Sequence, residues 1–126
     1  GNCDIIDVTD EVAAFVRDSG LKEGLAHVFV PGATGGVTTI EYESGLVKDF
    51  RDAMEKLAPE RAEYAHNERW GDGNGHSHVR ASLLGPSMSV PVSGGRLVLG
   101  TWQQIIIVDF DVRPRRRSVT VQAIGE

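Results

Sequence analysis

The segment from Gln103 to Phe110 contains Ile105-Ile106-Ile107-Val108, the longest dense apolar run of the chain. Four consecutive large aliphatics match a core strand and fall far short of the roughly 20 apolar residues that span a bilayer as a helix. Other β-prone stretches flank it: His76 to Leu84, Met88 to Val92, Leu97 to Gly100 and Arg117 to Ile124. Gly85-Pro86, Ser93-Gly94-Gly95 and Val112-Arg113-Pro114 separate them, and such residues mark turns. Connections this short favour antiparallel neighbours, so the C-terminal half is predicted to be a β-meander.

The N-terminal half alternates instead. Asp4 to Val8 reads as a short strand; Thr9 then caps a helix whose stripe is Val12, Phe15 and Val16 and whose stop is Ser19-Gly20. Strands are expected from Leu25 to Val30 and from Val37 to Tyr42. Ser44 is expected to cap a second helix, with Leu46, Val47, Phe50, Met54 and Leu57 on one face and Pro59 limiting its extension. The class is therefore α+β: two helices on or beside antiparallel strands. At 126 residues and 40% hydrophobic content, one domain over residues 1–126 is expected.

The formal charge of −5 argues against a general nucleic-acid binder. Arg113, Arg115, Arg116 and Arg117 nevertheless form a local basic cluster. It suits either an edge strand protected from aggregation or contact with a phosphorylated small molecule, and Arg115 is the candidate for that contact. Cys3 is the only cysteine, which excludes an internal disulfide and fits a cytoplasmic protein with no membrane partner. Nothing around it marks an activated nucleophile.

The chemistry concentrates in HNERWGDGNGHSHVR, residues 66 to 80, which holds three of the four histidines. On a strand, His76 and His78 would share one face. His66 lies ten residues before His76, across a segment whose glycines let it fold back. Three imidazoles with one open position are a recurring set for a catalytic divalent metal, so His66, His76 and His78 are the candidate ligands. HxH is a weak signal by itself, since a solvated strand also carries polar pairs on one face. Glu68 and Asp72 beside His66 strengthen it and supply candidate acid–base or orienting groups. His27, inside an apolar strand, reads as structural. Pro31-Gly32-Ala33-Thr34-Gly35-Gly36 has the composition of an anion cradle but leads into a strand, which favours a turn. Trp102 is expected in the core, with Gln103 or Thr101 facing a pocket.

Four motifs together carry a family resemblance. These are HN with Trp70 and DGNGHSH, LLGPS from Leu83 to Ser87, PVSGGRLVLGTWQ from Pro91 to Gln103, and the closing Asp109-Phe110-Asp111 with Pro114, Arg115 and Arg117. Over essentially the whole chain the sequence resembles the YjbQ-like family, described as secondary thiamine-phosphate synthases. The resemblance implies two antiparallel sheets forming a sandwich, a homotrimer, and a pocket near the subunit contacts lined by His66, His76 and His78. It also implies one further strand before Asp4, which this sequence lacks. Where many members carry a His-Thr-Thr/Ser-Ala loop, this chain has Gly32-Ala33-Thr34-Gly35-Gly36.

Two functions follow as expectations. One is a transferase that joins a pyrimidine methyl diphosphate to a thiazole phosphate and releases pyrophosphate. Here His66, Glu68 and Asp72 would be catalytic, Asn74, Gln103 and Arg115 would bind substrate, and the three histidines would hold zinc or magnesium. The other is a trimeric metal- or small-anion-binding protein without efficient catalysis.

Overall fold

The computed structural model describes residues 1–126. The strands are β1 (Asp4–Asp7), β2 (Glu23–Phe29), β3 (Gly35–Ile40), β4 (Ser87–Ser93), β5 (Arg96–Leu97), β6 (Gln104–Asp109) and β7 (Thr120–Gly125), and the helices α1 (Thr9–Ser19), α2 (Ser44–Leu57), α3 (Ala65–Trp70) and α4 (Gly75–Leu84). Two antiparallel sheets result, one in the order β1-β6-β3 and one in the order β5-β4-β2-β7. The α+β class and the pair of antiparallel sheets agree with expectation. No helix is long and apolar enough to cross a membrane.

The apolar run of β6 organises the layers because both of its faces are buried. Ile105 and Ile107 pack with Val28, Val30 and Val90 of the larger sheet and its margins, and with Val12 and Val37. Ile106 and Val108, on the opposite face, pack with Phe110, Ile5, Met54 of α2 and Ala81 of α4. The smaller sheet is thus the middle layer, with the larger sheet on one side and α2 and α4 on the other. A third cluster of Val16, Leu21, Ala26 and Val92 closes α1 over the larger sheet. Thr9 ties α1 to the central strand: its hydroxyl donates to Asp7 Oδ1 at 2.6 Å and accepts the Ile105 N–H at 2.8 Å.

Several expectations are corrected. There are four helices, not two, because residues 75–84 form α4 rather than a strand. Its buried residues, His76, Ser77, Arg80 and Ala81, recur at helical spacing, and that period prevails over the HxH alternation. The C-terminal strands do not form a meander. Only β4 and β5 pair as sequence neighbours; β6, apolar on both faces, leaves for the other sheet, and β7 pairs with β2. The expected strand from Leu97 to Gly100 enters the ladder only as Arg96–Leu97. Trp102 is 73% exposed and lies outside the core. Finally, α2 is capped by Glu43 rather than Ser44, its carboxylate accepting from Gly45 N–H at 2.9 Å and Leu46 N–H at 2.6 Å.

Close strand approach at the end of the larger sheet depends on a facing pair of glycines. Gly24 and Gly125 are register partners. A Cβ at Gly24 would stand 2.0 Å from the Ile124 carbonyl oxygen, and one at Gly125 would stand 2.0 Å from the Glu23 carbonyl oxygen. Both obstacles are backbone, so a side chain there must force the strands apart. Gly24→Ala is therefore expected to cost about 1–3 kcal/mol, read as a lower urea midpoint. An unchanged midpoint would show that β7 docks without this close approach.

Candidate functional site

Helical geometry separates the two histidines that a strand would have aligned. Residues two apart on an α-helix are rotated by about 200°, so His76 and His78 project from different sides of α4. His76 turns inward and is 2% exposed. His78 meets His66 instead, with ring centroids 4.4 Å apart and planes inclined at 42°.

A tight reversal produces that meeting. Gly71, at φ 69°, ends α3, and Gly73, at φ 68°, turns the chain back toward α4. The Gly75 N–H donates to Asn67 Oδ1 at 2.8 Å. A Cβ at Gly75 would lie 2.5 Å from Tyr64 Cβ, so only glycine lets α4 begin this close to α3. The reversal brings Asp72 Oδ1 to 3.4 Å from His66 Nδ1, a contact of ion-pair length whose alignment is too poor for a hydrogen bond. Asn74, with its amide nitrogen turned toward the carboxylates, donates to Asp72 Oδ1 at 2.9 Å and also lies beside Asp111.

On its far side His78 borders a cleft of about 190 Å³ with Gly32, Ala33, Gly35, Ser82 and Pro86. The loop before β3 is held there by a polar network. Arg117 Nη2 donates to Thr34 Oγ1 and to Asp109 Oδ1, each at 2.7 Å. Thr34 donates to Asp111 Oδ2 at 3.3 Å, and Arg115 Nη1 donates to the same oxygen at 2.9 Å. The Arg117 guanidinium lies against the loop, where a Cβ on Gly32 or Gly35 would come within 3.2 Å of Nη1.

The electrostatics follow from burial and partners. Burial by itself would raise the Asp109 carboxyl, but hydrogen bonds from Arg117 and the Asp111 N–H outweigh it and hold the group below the usual aspartate range. Asp111 is held low in the same way, burial being outweighed by the Val112 N–H, Asn74, Arg115 and Thr34. His76 moves down: burial is the largest cause and the Arg80 guanidinium the next, partly opposed by Glu60, Glu55 and Asp111. It is a neutral imidazole at pH 7.

The predicted site residues divide accordingly. His66, His78, Asp72 and Asn74 come together, and Arg115 joins them through Asp111. His76 faces away from the pair, which removes the strand-face reason for grouping it with His78. No group of three or more His, Cys, Asp and Glu side chains is placed to hold a metal ion, so the ligand set His66, His76 and His78 does not form within one chain. Glu68 is exposed on α3. Both ends of the Gln103 amide are used locally, the oxygen by Gly100 N–H at 3.0 Å and the nitrogen on Thr39 Oγ1 at 3.1 Å. Thr39 is four residues along β3 from Gly35, about 13 Å from the His78 cleft. His27 is held across the ladder, its Nδ1 lying 2.8 Å from Ser89 Oγ. Sequence reasoning missed Thr34, Asp109, Asp111 and the structural role of Arg117. The available signal was Asp109-x-Asp111 directly after the apolar run, with Arg115-x-Arg117 across the next turn.

Comparison with known proteins places this geometry. A family model described as UPF0047 protein YjbQ-like matches residues 1–126. A UPF0047 protein of Archaeoglobus fulgidus is 42% identical over 96% of this chain and 91% of its own length. The UPF0047 protein YugU of Bacillus subtilis is 35% identical over 97% of this chain and 90% of its own. Among solved structures, a YbjQ-like protein of unknown function from Sulfolobus solfataricus superposes with a TM-score of 0.94 at 35% identity, covering 98% of this chain and 88% of that one. A hypothetical protein from Aeropyrum pernix gives a TM-score of 0.90 at 37% identity, with 97% and 89% covered.

The buried carboxylates make stability depend on acid. Because Asp109 and Asp111 titrate lower in the folded chain than in the unfolded one, their contribution is complete above the ordinary aspartate range and is lost as pH falls through and below it. The urea midpoint is expected to begin falling as pH drops through the ordinary histidine range, because His76 takes up a proton more readily in the unfolded chain, and to drop further below about pH 4 as the two aspartates are protonated. Arg117→Met removes one of the cations on Asp109, which keeps the Gly1 ammonium at 3.2 Å and the Asp111 N–H at 3.1 Å, and is expected to cost about 1–3 kcal/mol at neutral pH while making the acid-side loss shallower. Parallel pH profiles for the two proteins would contradict this assignment.

Proposed function

Since the chain belongs to the UPF0047 protein YjbQ-like family, we propose that it is a transferase for phosphorylated small molecules, of the thiamine-phosphate-synthase type. The observation that carries the reading is the contact of the His66 and His78 rings, with Asp72 against one and the Gly32–Gly35 cleft beside the other. In the proposed reaction the thiazole nitrogen attacks the methylene carbon of the pyrimidine methyl diphosphate. A C–N bond forms, the C–O bond to the diphosphate breaks, and pyrophosphate leaves with the bonding electrons. Negative charge grows on that leaving oxygen, and an imidazole N–H donated to it stabilises the transition state more than the bound substrate. His78, on the cleft, is the proposed donor, and His66 packs against its ring. Asp72 places a negative charge 3.4 Å from His66 Nδ1, Asn74 positions Asp72, and Arg115, 40% exposed, takes a phosphate of the substrate.

One observation favours a second reading. Arg117 and Arg115 are already engaged by Asp109 and Asp111, which lowers the positive field left for a diphosphate. A small-anion- or metal-binding protein with slow chemistry is therefore the alternative. Zinc and magnesium dependence belongs to the test, since a ligand set incomplete in one chain is completed only by substrate or by another copy. A homotrimer in the cytoplasm is the proposed setting. Its support is the apolar outer surface of the larger sheet, where Leu25 and Ile124 are cross-strand partners exposed at 49% and 79% and Phe29 follows on the same strand face.

His78→Ala is expected to lower turnover by about 10²–10³ with a smaller change in the Michaelis constant, measured as thiamine phosphate formed with and without each metal. Wild type that forms no product under any of these conditions would move the binding reading to first place. Light scattering is expected to return three times the chain mass, and a Leu25→Glu/Ile124→Glu variant to return a smaller species. A wild-type monomer at micromolar concentration would remove the trimer.

A further inference from the structure

The inward side of α4 borders a second cavity, of about 250 Å³, between α2, α4 and the segment Asn2-Cys3. His76 lines it, almost fully buried, and its Nδ1 has no hydrogen-bond partner. Buried polar atoms of folded proteins are paired with rare exceptions, so an orphaned imidazole nitrogen beside a cavity points to something that enters the cavity.

The charges around it identify what fits. Two of the lining carboxylates already have cations: Glu55 receives Arg80 Nη2 at 2.7 Å, and Asp52 receives Lys48 Nζ at 2.5 Å. Arg80 is fixed further by its Nε, which donates to the Ala58 carbonyl at 3.0 Å. Two groups of opposite sign are left over. Arg51 spends only its Nε, on the Cys3 carbonyl at 3.1 Å, and its guanidinium forms no ion pair. Glu60 donates its N–H to Glu55, while its own carboxylate has no partner. A simple anion entering here meets three carboxylates, and a simple cation meets two guanidiniums. A molecule carrying both charges opposes each to its complement. The volume is below the roughly 300–1,000 Å³ of sites for drug-sized ligands, which limits the occupant to a small one.

We propose that this cavity is a binding site for a small zwitterion of the α-amino-acid class, with Arg51 taking the carboxylate, Glu60 the ammonium and His76 a polar group of the side chain. The site is separate from the His66–His78 cleft, because α4 turns the two histidines to different sides. It does not depend on the transferase reading.

The test uses the whole chain and the twenty common amino acids, each screened by thermal shift, followed by calorimetry of those that raise the melting temperature. For the tightest binder, the matched amine lacking the carboxylate and the matched acid lacking the ammonium are each expected to bind about ten-fold more weakly or worse. Arg51→Gln and Glu60→Gln are each expected to weaken the amino acid by about ten-fold or more, whereas His78→Ala leaves its affinity unchanged. Arg51 and Glu60 are exposed, so both variants keep the fold, which circular dichroism verifies. The proposal is overturned by any of four results. These are no shift with any amino acid, a half-molecule that binds as tightly as its parent, affinity indifferent to both Arg51→Gln and Glu60→Gln, or affinity that falls with His78→Ala.

Discussion

Burial of both faces of β6 is the constraint on which the rest of this structure depends. A strand with aliphatics on alternate faces needs apolar cover on each side, and the chain supplies it with the larger sheet against Ile105 and Ile107 and with α2 and α4 against Ile106 and Val108. Three layers follow. So does the departure of β6 from its sequence neighbours, since an outer strand of a meander would leave one of those faces to water. The strand also ends in the molecule's main charged device: beyond Val108 it presents Asp109, then Phe110 to the core, then Asp111.

Those two carboxylates convert the end of the core into a joint. Isolated, they would be costly to bury; with Arg117, Arg115, Thr34 and backbone N–H groups around them they remain ionised and hold the Gly32–Gly35 loop in place. Breaking one partner leaves a buried charge, so the network fixes geometry more than it adds net stability. The loop it fixes is the wall of the cleft next to His78. Core packing, the charged joint and the candidate site are therefore consecutive along one strand and the loop beside it.

α4 distributes chemistry to two sides. His78 joins His66 over the glycine-rich reversal, ring against ring. His76 and Arg80 turn toward α2, where burial keeps the imidazole neutral and the guanidinium is locked to Glu55 and Ala58. One short helix thus separates residues that stand side by side in the chain. The family is shared with proteins from archaea and bacteria at 31–42% identity, and the fold is held in common over nearly the full length.

Much was legible in the sequence because it depends on local pattern. Ile105 to Val108 announced a core strand, Ser19-Gly20 a helix end, and Gly-rich punctuation the turns; the linked motifs from His66 to Gln103 carried the family. Nearness along the chain offered Glu68 or Asp72 as the acid beside a histidine, and the fold brings Asp72 to His66 while leaving Glu68 exposed. What failed was whatever rested on the period assigned to residues 76–84. HxH fits a strand and a helix equally well as a string, and only packing of Ala81 and Arg80 against the core selects the helix, which parts His76 from His78 and dissolves the three-histidine set. The alternation Asp109-x-Asp111 and Arg115-x-Arg117 was visible in the sequence, but their joining with Thr34 was not. Thr34 and Arg117 are separated by 83 residues and meet only because β3 and β6 pair. The sequence by itself determined which segments are apolar enough to be core and where the chain must turn, since those are properties of neighbouring residues. Tertiary structure decided which polar side chains share a cavity, because that is fixed by which faces the core consumes.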